Sequence, residues 1–546
     1  MPQRKIKFQE EEVVWHDTLS DGSIGLAKEW LRECLAHSTC TKANAPWYPT
    51  RLLDLRPDGL EDVARVRLVH TKEMALDEPY TTLSHRWGRS SLLQLTWDNL
   101  HDFRRAISIV DMPKTFQQAI YVSKALGARY IWIDSLCIVQ DKDDLSDWTR
   151  EASQMHQVYA HSYCNLSASD ALDSSQGLSR QRHTTFLDPI EVNFASPRSR
   201  DNESSGRSVY TLEDNWLFGR EVSDCALNKS GWVLQERFLS PRVLHFCRYQ
   251  LYWECRSCVA CEKYPNGIPS AYSHEYFTFK SKEHSMGTDP AFWYELWDNL
   301  VEQYTNTSLT FPHDKLVALS GLAKRIRSAT GDQYVAGLWR ENLEYNLLWY
   351  RSRYHNKSAA RDHSTFRPHQ YRAPSWSWAS LDGSILALNS TKKASDDFRL
   401  DIHVKDVHLQ YASDDDTGQV TGGWLDLCGR LKPMRLLVNN LRDIGSWNRW
   451  NIAFEDVGLS IYFSVDLDEP LTDEAVMMDY SESGLLFCMP VVPASIDRCM
   501  GYWIEDEKLD EYQRSARAYY KGHEGGALLL RLVNRRTHEF QRIGIG

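Results

Sequence analysis

A chain of 546 residues is longer than one hydrophobic core supports, so two or three domains are expected. With 42% hydrophobic residues, 25% charged residues and twenty tryptophans, the composition is that of well-cored globular domains and excludes global disorder. A formal net charge of −11 argues against a general nucleic-acid binder, which needs clustered Lys and Arg to neutralise phosphates.

No run approaches the roughly 18 apolar residues of a membrane-spanning helix. The opening Met-Pro-Gln-Arg-Lys-Ile-Lys-Phe carries charge without an apolar stretch and is not expected to be a secretory signal. Twelve cysteines spread thinly over this length read as reduced thiols of a cytoplasmic protein.

In chain order, residues 1–75 form an extension with one amphipathic helix, where Ala27, Trp30, Leu31, Cys34 and Leu35 recur at helical spacing. Leu52 to Leu55 then read as a strand. Thr81 to His85 is a short strand, and Pro113 opens a helix whose apolar face is Phe116, Ala119, Ile120 and Leu126, closed by Gly127. Tyr130 to Ile138 is a near-continuous apolar run, as for a strand covered on both faces. A helix around Trp148 to Tyr159 and a strand over Cys164 to Ala168 follow. This βαβαβ order predicts an α/β domain over 76–262, built on a parallel sheet with flanking helices. A polar stretch at about 181–230 reads as a loop insertion. Residues 263–380 read as a helical region, with helices at Ala291–Tyr304 and Asp314–Ile326. Residues 381–546 read as a β-rich domain, with strand-length runs at 400–404, 423–427, 459–465, 484–490 and 527–533.

One carboxylate stands out. At about 100° per residue, Glu151 falls inside the arc of Trp148, Ala152, Met155, Val158 and Tyr159, while Arg150, Ser153 and Gln157 lie opposite. A charge on an apolar face is costly unless it is paired or functional. In parallel sheets ligands collect at the carboxyl ends of strands, where Ser84, Arg86, Trp87, Asp134 and Ser135 are expected. A site with Glu151 as the catalytic candidate and those five as ligand-binding candidates follows, supported by Trp148, Gln235, Glu236 and Arg237. The competing expectation is that Glu151 forms a structural ion pair with Arg86 or Arg237. His85 next to Ser84 is not a Ser/His pair, because adjacent strand residues point to opposite faces. Cys137 reads as a core thiol.

Two groups have metal-ligand character: Cys34, His37 and Cys40 at i, i+3 and i+6, and Cys255, Cys258 and Cys261 at the same spacing. Structural zinc takes four ligands, and neither group contains four, so both are weak candidates and no metal is assigned.

Several of these segments also resemble a known family. Tyr80-x-x-Leu83-Ser84-x-x-Trp87-Gly88, Met112-Pro-Lys-Thr-Phe116 with Ala119-Ile120, Tyr130-Ile-Trp-Ile-Asp134-Ser-Leu-Cys137-Ile-x-Gln140-Asp141, Glu151-x-x-x-Met155-x-x-x-Tyr159 and Gly231-Trp-x-Leu-Gln-Glu-Arg237 are similar, in order, to the blocks of the fungal heterokaryon-incompatibility (HET) domain. Ala373-Pro-Ser-Trp-Ser-Trp-Ala-Ser380 and Arg542-Ile-Gly-Ile-Gly546 extend the likeness toward the C-terminus. His85, Ser179 and Ser230 depart from it, and none touches the charged positions. The resemblance implies self/non-self recognition in filamentous fungi, with growth arrest or death, triggered by a protein partner or by self-association. The HET domain is in turn remotely similar to TIR domains, some of which hydrolyse NAD with a helical glutamate that follows a tryptophan. Trp148-Thr-Arg-Glu151 is such a pattern. The expectation is therefore an incompatibility effector and candidate NAD glycohydrolase, with NAD as substrate and not as a resident cofactor. The alternatives are a non-catalytic assembly module and an accessory protein of secondary metabolism.

Overall fold

The structure is a computed structural model. It describes residues 16–40, 47–57, 64–88, 93–182, 190–195, 207–212, 214, 217–269, 280, 289–352, 367–387, 400–438, 450–454, 460–461, 466–468, 485–492 and 526–545. The chain divides into two compact units, Met1–Gly287 and Thr288–Gly546, each described by itself.

The first unit is built on a nine-stranded mixed sheet in the order β11-β10-β9-β6-β3-β5-β1-β2-β4. Its strands are β1 (Arg51–Asp54), β2 (Arg65–His70), β3 (Tyr80–Ser84), β4 (Ile107–Ser108), β5 (Tyr130–Trp132), β6 (Asn165–Ser167), β9 (Arg242–Phe246), β10 (Leu251–Cys255) and β11 (Val259–Cys261). β5, β3, β6 and β9 are parallel, as the βαβαβ order predicts. The antiparallel β1–β2–β4 and β10–β11 extend that core on its two sides.

Helices α1 (Asp21–Leu35), α3 (Lys114–Ala125), α5 (Ser146–Ala160) and α6 (Gly231–Leu239) flank the sheet, with shorter α2 (Leu100–Arg105) and α4 (Asp134–Cys137) between strands. From β3 the chain passes through α3 to β5 on one side, then back through α5 to β6 on the other. Right-handed crossovers in opposite directions place their helices on opposite faces. Side chains of β3 confirm this: Tyr80 Oη donates to Val158 O of α5 at 2.7 Å, while Thr81 Oγ1 and Ser123 Oγ of α3 are 2.6 Å apart. β3 is where the strand order reverses, and in α/β sheets ligands bind at the carboxyl ends of the strands beside such a point.

Three local expectations are revised. The apolar run from Tyr130 is a strand only to Trp132, because Asp134 starts the single turn α4: Ile138 N donates to Asp134 O at 3.0 Å. The stretch 181–230 is not all loop. It holds an antiparallel pair, β7 (Ile190–Ala195) with β8 (Arg207–Leu212), and helical turns at Gly219–Ser223 and Leu227–Lys229. Apolar Ile190, Val192 and Phe194 alternate with other residues at strand spacing. The expected helix from Asp314 begins as 3-10 turns and becomes α-helical over Ser320–Thr330.

The second unit contains helices Pro290–Thr305 and Ser320–Thr330 and is β-rich beyond residue 400. Ile402–Tyr411 pairs with Val420–Gly429 as a long ribbon. A seven-stranded antiparallel sheet includes Lys432–Val438, Trp450–Phe454, Leu486–Val492, Gly526–Asn534 and Glu539–Ile545. Of the expected 459–465 run, Ser460–Ile461 is a strand, and residues 459 and 462–465 lie outside the described residues, as do Gly484 and Gly546. Among the described residues no helix is long and apolar enough to cross a membrane.

Phe116 of α3 is fully buried and meets the His85 ring edge-on, with centroids 5.0 Å apart. Phe116→Ala should cost about 3–5 kcal/mol of stability in equilibrium denaturation, because the rigid sheet beneath cannot close the cavity.

Candidate functional site

Alternation along β3 sorts its carboxyl end. His85 turns toward α3, whereas Ser84 turns toward α5 and α6, so the two do not form a catalytic pair. Ser84 Oγ hydrogen-bonds a carboxylate oxygen of Glu236 and lies 3.0 Å from Asn165 Nδ2. Tyr159 of α5, packed edge-on to Trp132, brings its hydroxyl against Glu236 and Ser84. Glu236, only 7% exposed, thus meets the Ser84 and Tyr159 hydroxyls and faces the Asp134 charge. Burial pushes its carboxyl up to about 7; the neighbouring Asp134 charge adds to this, and the Ser84 and Tyr159 hydroxyls partly oppose it.

Asp134, half-buried at the end of β5, faces the same place. Its Oδ1 accepts the Ser135 backbone N–H at 2.7 Å and its Oδ2 accepts Trp87 Nε1–H at 2.8 Å. His85 Nδ1 is 3.7 Å from Asp134 Oδ1, and burial lowers the imidazole's pKa. Ser135 is buried, while Arg86 is exposed. Gly88 turns the chain with φ +72°, and a Cβ there would stand 2.3 Å from Asp173 Cβ. Ser84, Trp87, Asp134 and Glu236 are therefore gathered at the strand tips.

Glu151 is buried, as its helical position predicts, at 4% exposed. Its carboxylate accepts from Arg150 Nε at 3.1 Å and lies 4.0 Å from the Arg51 guanidinium. Arg51 also pairs with the fully buried Asp147 and donates from Nε to Cys137 O at 2.7 Å; Asp147 further accepts Val139 N–H at 2.9 Å. This network joins β1, α4 and α5. The expected structural ion pair of Glu151 is present, but with Arg51 and Arg150, not with Arg86 or Arg237. Arg51 and Asp147 had no sequence signal for this role, because they are 96 positions apart and meet only when β1 pairs with β5.

Residues 80–236 match the family described as Heterokaryon incompatibility protein (HET). The chain carries a heterokaryon-incompatibility domain. The HET domain ties it to a role in heterokaryon incompatibility. No curated protein and no solved structure matches the chain.

The remaining candidates divide sharply. Gln235 is buried beside Glu236 in the last turns of the HET match, and Trp148 packs edge-on against Trp232 at 6.2 Å. Arg237, just past the match, donates from Nε to Glu254 Oε2 at 2.8 Å and binds two elements together. Burial alone would raise Glu254, but Arg237 and Lys280 hold it well below the usual carboxylate range. Cys137 is a fully buried thiol pushed up to about 12 by burial, as expected of a core residue. Cys34, His37, Cys40 and Cys255 come together in space, whereas Cys261 packs with Phe218, Val222, Cys247 and Tyr252.

Two further places escaped sequence reading. Glu221, on a π-helical turn, lines a cavity of about 200 Å³ with Asp170, Arg220, Arg248 and Tyr249, and burial pushes its carboxyl up to about 8. In the second unit, Lys315 lines a cavity of about 250 Å³ with Tyr304, Arg372 and Asp382, and burial pushes its amine down to about 7.

Asp147→Ala should destabilise the HET domain by about 3–5 kcal/mol, since it removes the close buried partner of Arg51 and leaves it only Glu151, 4.0 Å away. Arg150→Ala, at a half-exposed guanidinium, should cost below about 1 kcal/mol in the same denaturation series. Glu236 has the opposite signature. Its folded-state pKa is raised from 4.5 to about 7, so the native state binds more protons than the unfolded chain in that window. Stability should therefore fall as pH rises from about 4.5 to about 7, by an amount on the order of 3 kcal/mol. Urea denaturation across this range should show wild type losing more stability than Glu236→Gln by that amount, since the raised carboxyl of Glu221 contributes its own fall to both.

Proposed function

We propose that the chain is an effector of self/non-self recognition whose HET domain, once assembled or engaged by a partner, cleaves NAD or a related nucleotide at its N-glycosidic bond. Growth arrest or death would follow from that loss. The observation that carries this reading is Glu236: a buried carboxyl that titrates near neutrality, bonded to Ser84 at the parallel strand tips. A group with that pKa is suited to proton transfer at working pH.

In the proposed step, water attacks C1′ of the ribose as the C–N bond to nicotinamide breaks. The bonding pair leaves with the ring nitrogen, and neutral nicotinamide departs. Glu236 takes the proton of the attacking water. Asp134, held by Trp87 Nε1–H and the Ser135 N–H, supplies negative charge beside the developing oxocarbenium centre. Glu151 has no chemical part in this scheme, because its carboxylate is engaged by Arg150 and Arg51. The burial of Glu236 supports the requirement for a trigger, since a nucleotide reaches it only if α6 and the β3 tip separate.

A second reading rests on a specific feature. The Ser84 and Tyr159 hydroxyls tie Glu236 of α6 to β3 and α5, so the cluster also suits a lock that fixes α6 onto the sheet in a non-catalytic assembly module. The test incubates full-length protein, concentrated to favour assembly, with NAD while nicotinamide release is followed chromatographically. Release that falls at least about 100-fold in Glu236→Gln and persists in Glu151→Gln supports the hydrolase. Inert wild type in its assembled form, together with undiminished toxicity of Glu236→Gln in cells, establishes the assembly module instead.

A further inference from the structure

We propose that Cys34, His37, Cys40 and Cys255 form a structural zinc site that fastens helix α1 to the edge of the nine-stranded sheet. The ligand atoms of these four residues all lie within 4.8 Å of one another, and three of the residues are buried. Cys34 sits in the last turn of α1. The chain then curls, with His37 N donating to Cys34 O at 3.0 Å and Cys40 N donating to His37 O at 3.1 Å. Two consecutive turns of this kind carry i, i+3 and i+6 donors to one side. Cys255, the last residue of β10, supplies the fourth from 218 positions beyond His37.

The spacing approaches that of a tetrahedron, with no two ligand atoms farther apart than 4.8 Å. With Zn–S of about 2.3 Å and Zn–N of about 2.0–2.1 Å, the S···N and S···S edges are about 3.6 and 3.8 Å. His37 Nδ1 is 3.8 Å from Cys40 Sγ and 3.8 Å from Cys255 Sγ. All three cysteines are free thiols. Three sulfurs and one imidazole nitrogen, with no position left over, select zinc in a closed structural site.

The surroundings complete the charge balance. Three thiolates and a neutral imidazole around a divalent ion carry one net negative charge. The buried Arg242 directs Nε–H to Cys34 Sγ at 3.2 Å, and the backbone N–H of Cys258 donates to Cys255 Sγ at 3.3 Å. Ser257 Oγ is 3.7 Å from Cys40 Sγ. Donors aimed at sulfur are what metal-bound thiolates require, and a guanidinium would gain little from a neutral thiol. Cys258 thus takes part through its backbone and is not one of the four ligands.

The site lies outside residues 80–236 and is independent of the hydrolase reading. Its consequence is structural. The N-terminal end of α1 is already held by a buried trio: Arg182 pairs bidentately with Glu262, and Ser23 Oγ donates to Glu262 Oε1 at 2.7 Å. Zinc would hold the other end, so that α1 is clamped at both termini to the same sheet edge.

Elemental analysis of full-length protein purified without chelator should find about one zinc per chain, and cobalt exchange should give the intense visible bands of a tetrahedral thiolate site. Cys255→Ser should lose the metal, while Cys258→Ser and Cys261→Ser should keep it. Stripping with a chelator should lower the thermal midpoint, and added zinc should restore it. Wild-type protein that purifies metal-free and takes up neither zinc nor cobalt under reducing conditions overturns the proposal, as does full zinc retention in folded Cys255→Ser. Should Cys255→Ser fail to fold, the wild-type stoichiometry and cobalt spectrum decide alone.

Discussion

The handedness of βαβ crossovers governs this molecule. From β3 the chain steps to β5 in one direction and returns past β3 to β6 in the other, so α3 and α5 lie on opposite faces. The reversal leaves the carboxyl end of β3 where helices from both faces diverge. Polar residues that end the parallel strands then gather there, with Glu236 buried among them. Ser84 finds Glu236 and Tyr159 on one face, while one residue later His85 finds Phe116 on the other.

Two buried glutamates, Glu151 and Glu236, keep different neighbours. Glu151 and Asp147 meet Arg51, whose guanidinium binds both carboxylates and a carbonyl, and the whole network holds β1 to α5. Such a network adds little net stability over apolar packing, but it makes removal of any one partner costly. Glu236 meets hydroxyls, which satisfy its hydrogen bonds without supplying a compensating charge. Desolvation therefore dominates, and the proton stays on up to about pH 7.

The edge of the sheet away from β4 depends on contacts distant in sequence. β9, β10 and β11 form a short meander, and α1 lies against it although more than two hundred positions separate them. An Arg182–Glu262 pair and a Cys-rich cluster sit at the two ends of that helix. Apolar packing through Ala27, Trp30 and Leu31 lies between these anchors.

Local pattern carried a good deal. Helical periodicity located α1, α3 and α5, Gly127 closed α3, the βαβαβ order fixed the parallel core, and the ordered blocks around Ser84, Asp134 and Glu236 marked the HET domain. Even the burial of Glu151 followed from its place on the helix wheel, since a face is set by 3.6-residue geometry alone. Partner identity did not follow. Whether a buried carboxylate meets a guanidinium or a hydroxyl, and whether Cys34, His37 and Cys40 acquire a fourth donor, depends on which strands lie side by side. Strand order is a long-range property: Arg51 reaches Asp147 only through β1–β5 pairing, and Cys255 reaches His37 only because β10 ends beneath the last turn of α1. Sequence by itself determined the elements and their buried faces, because these arise within a few residues; tertiary structure alone decided the electrostatic company each buried group keeps, because that is set across the sheet.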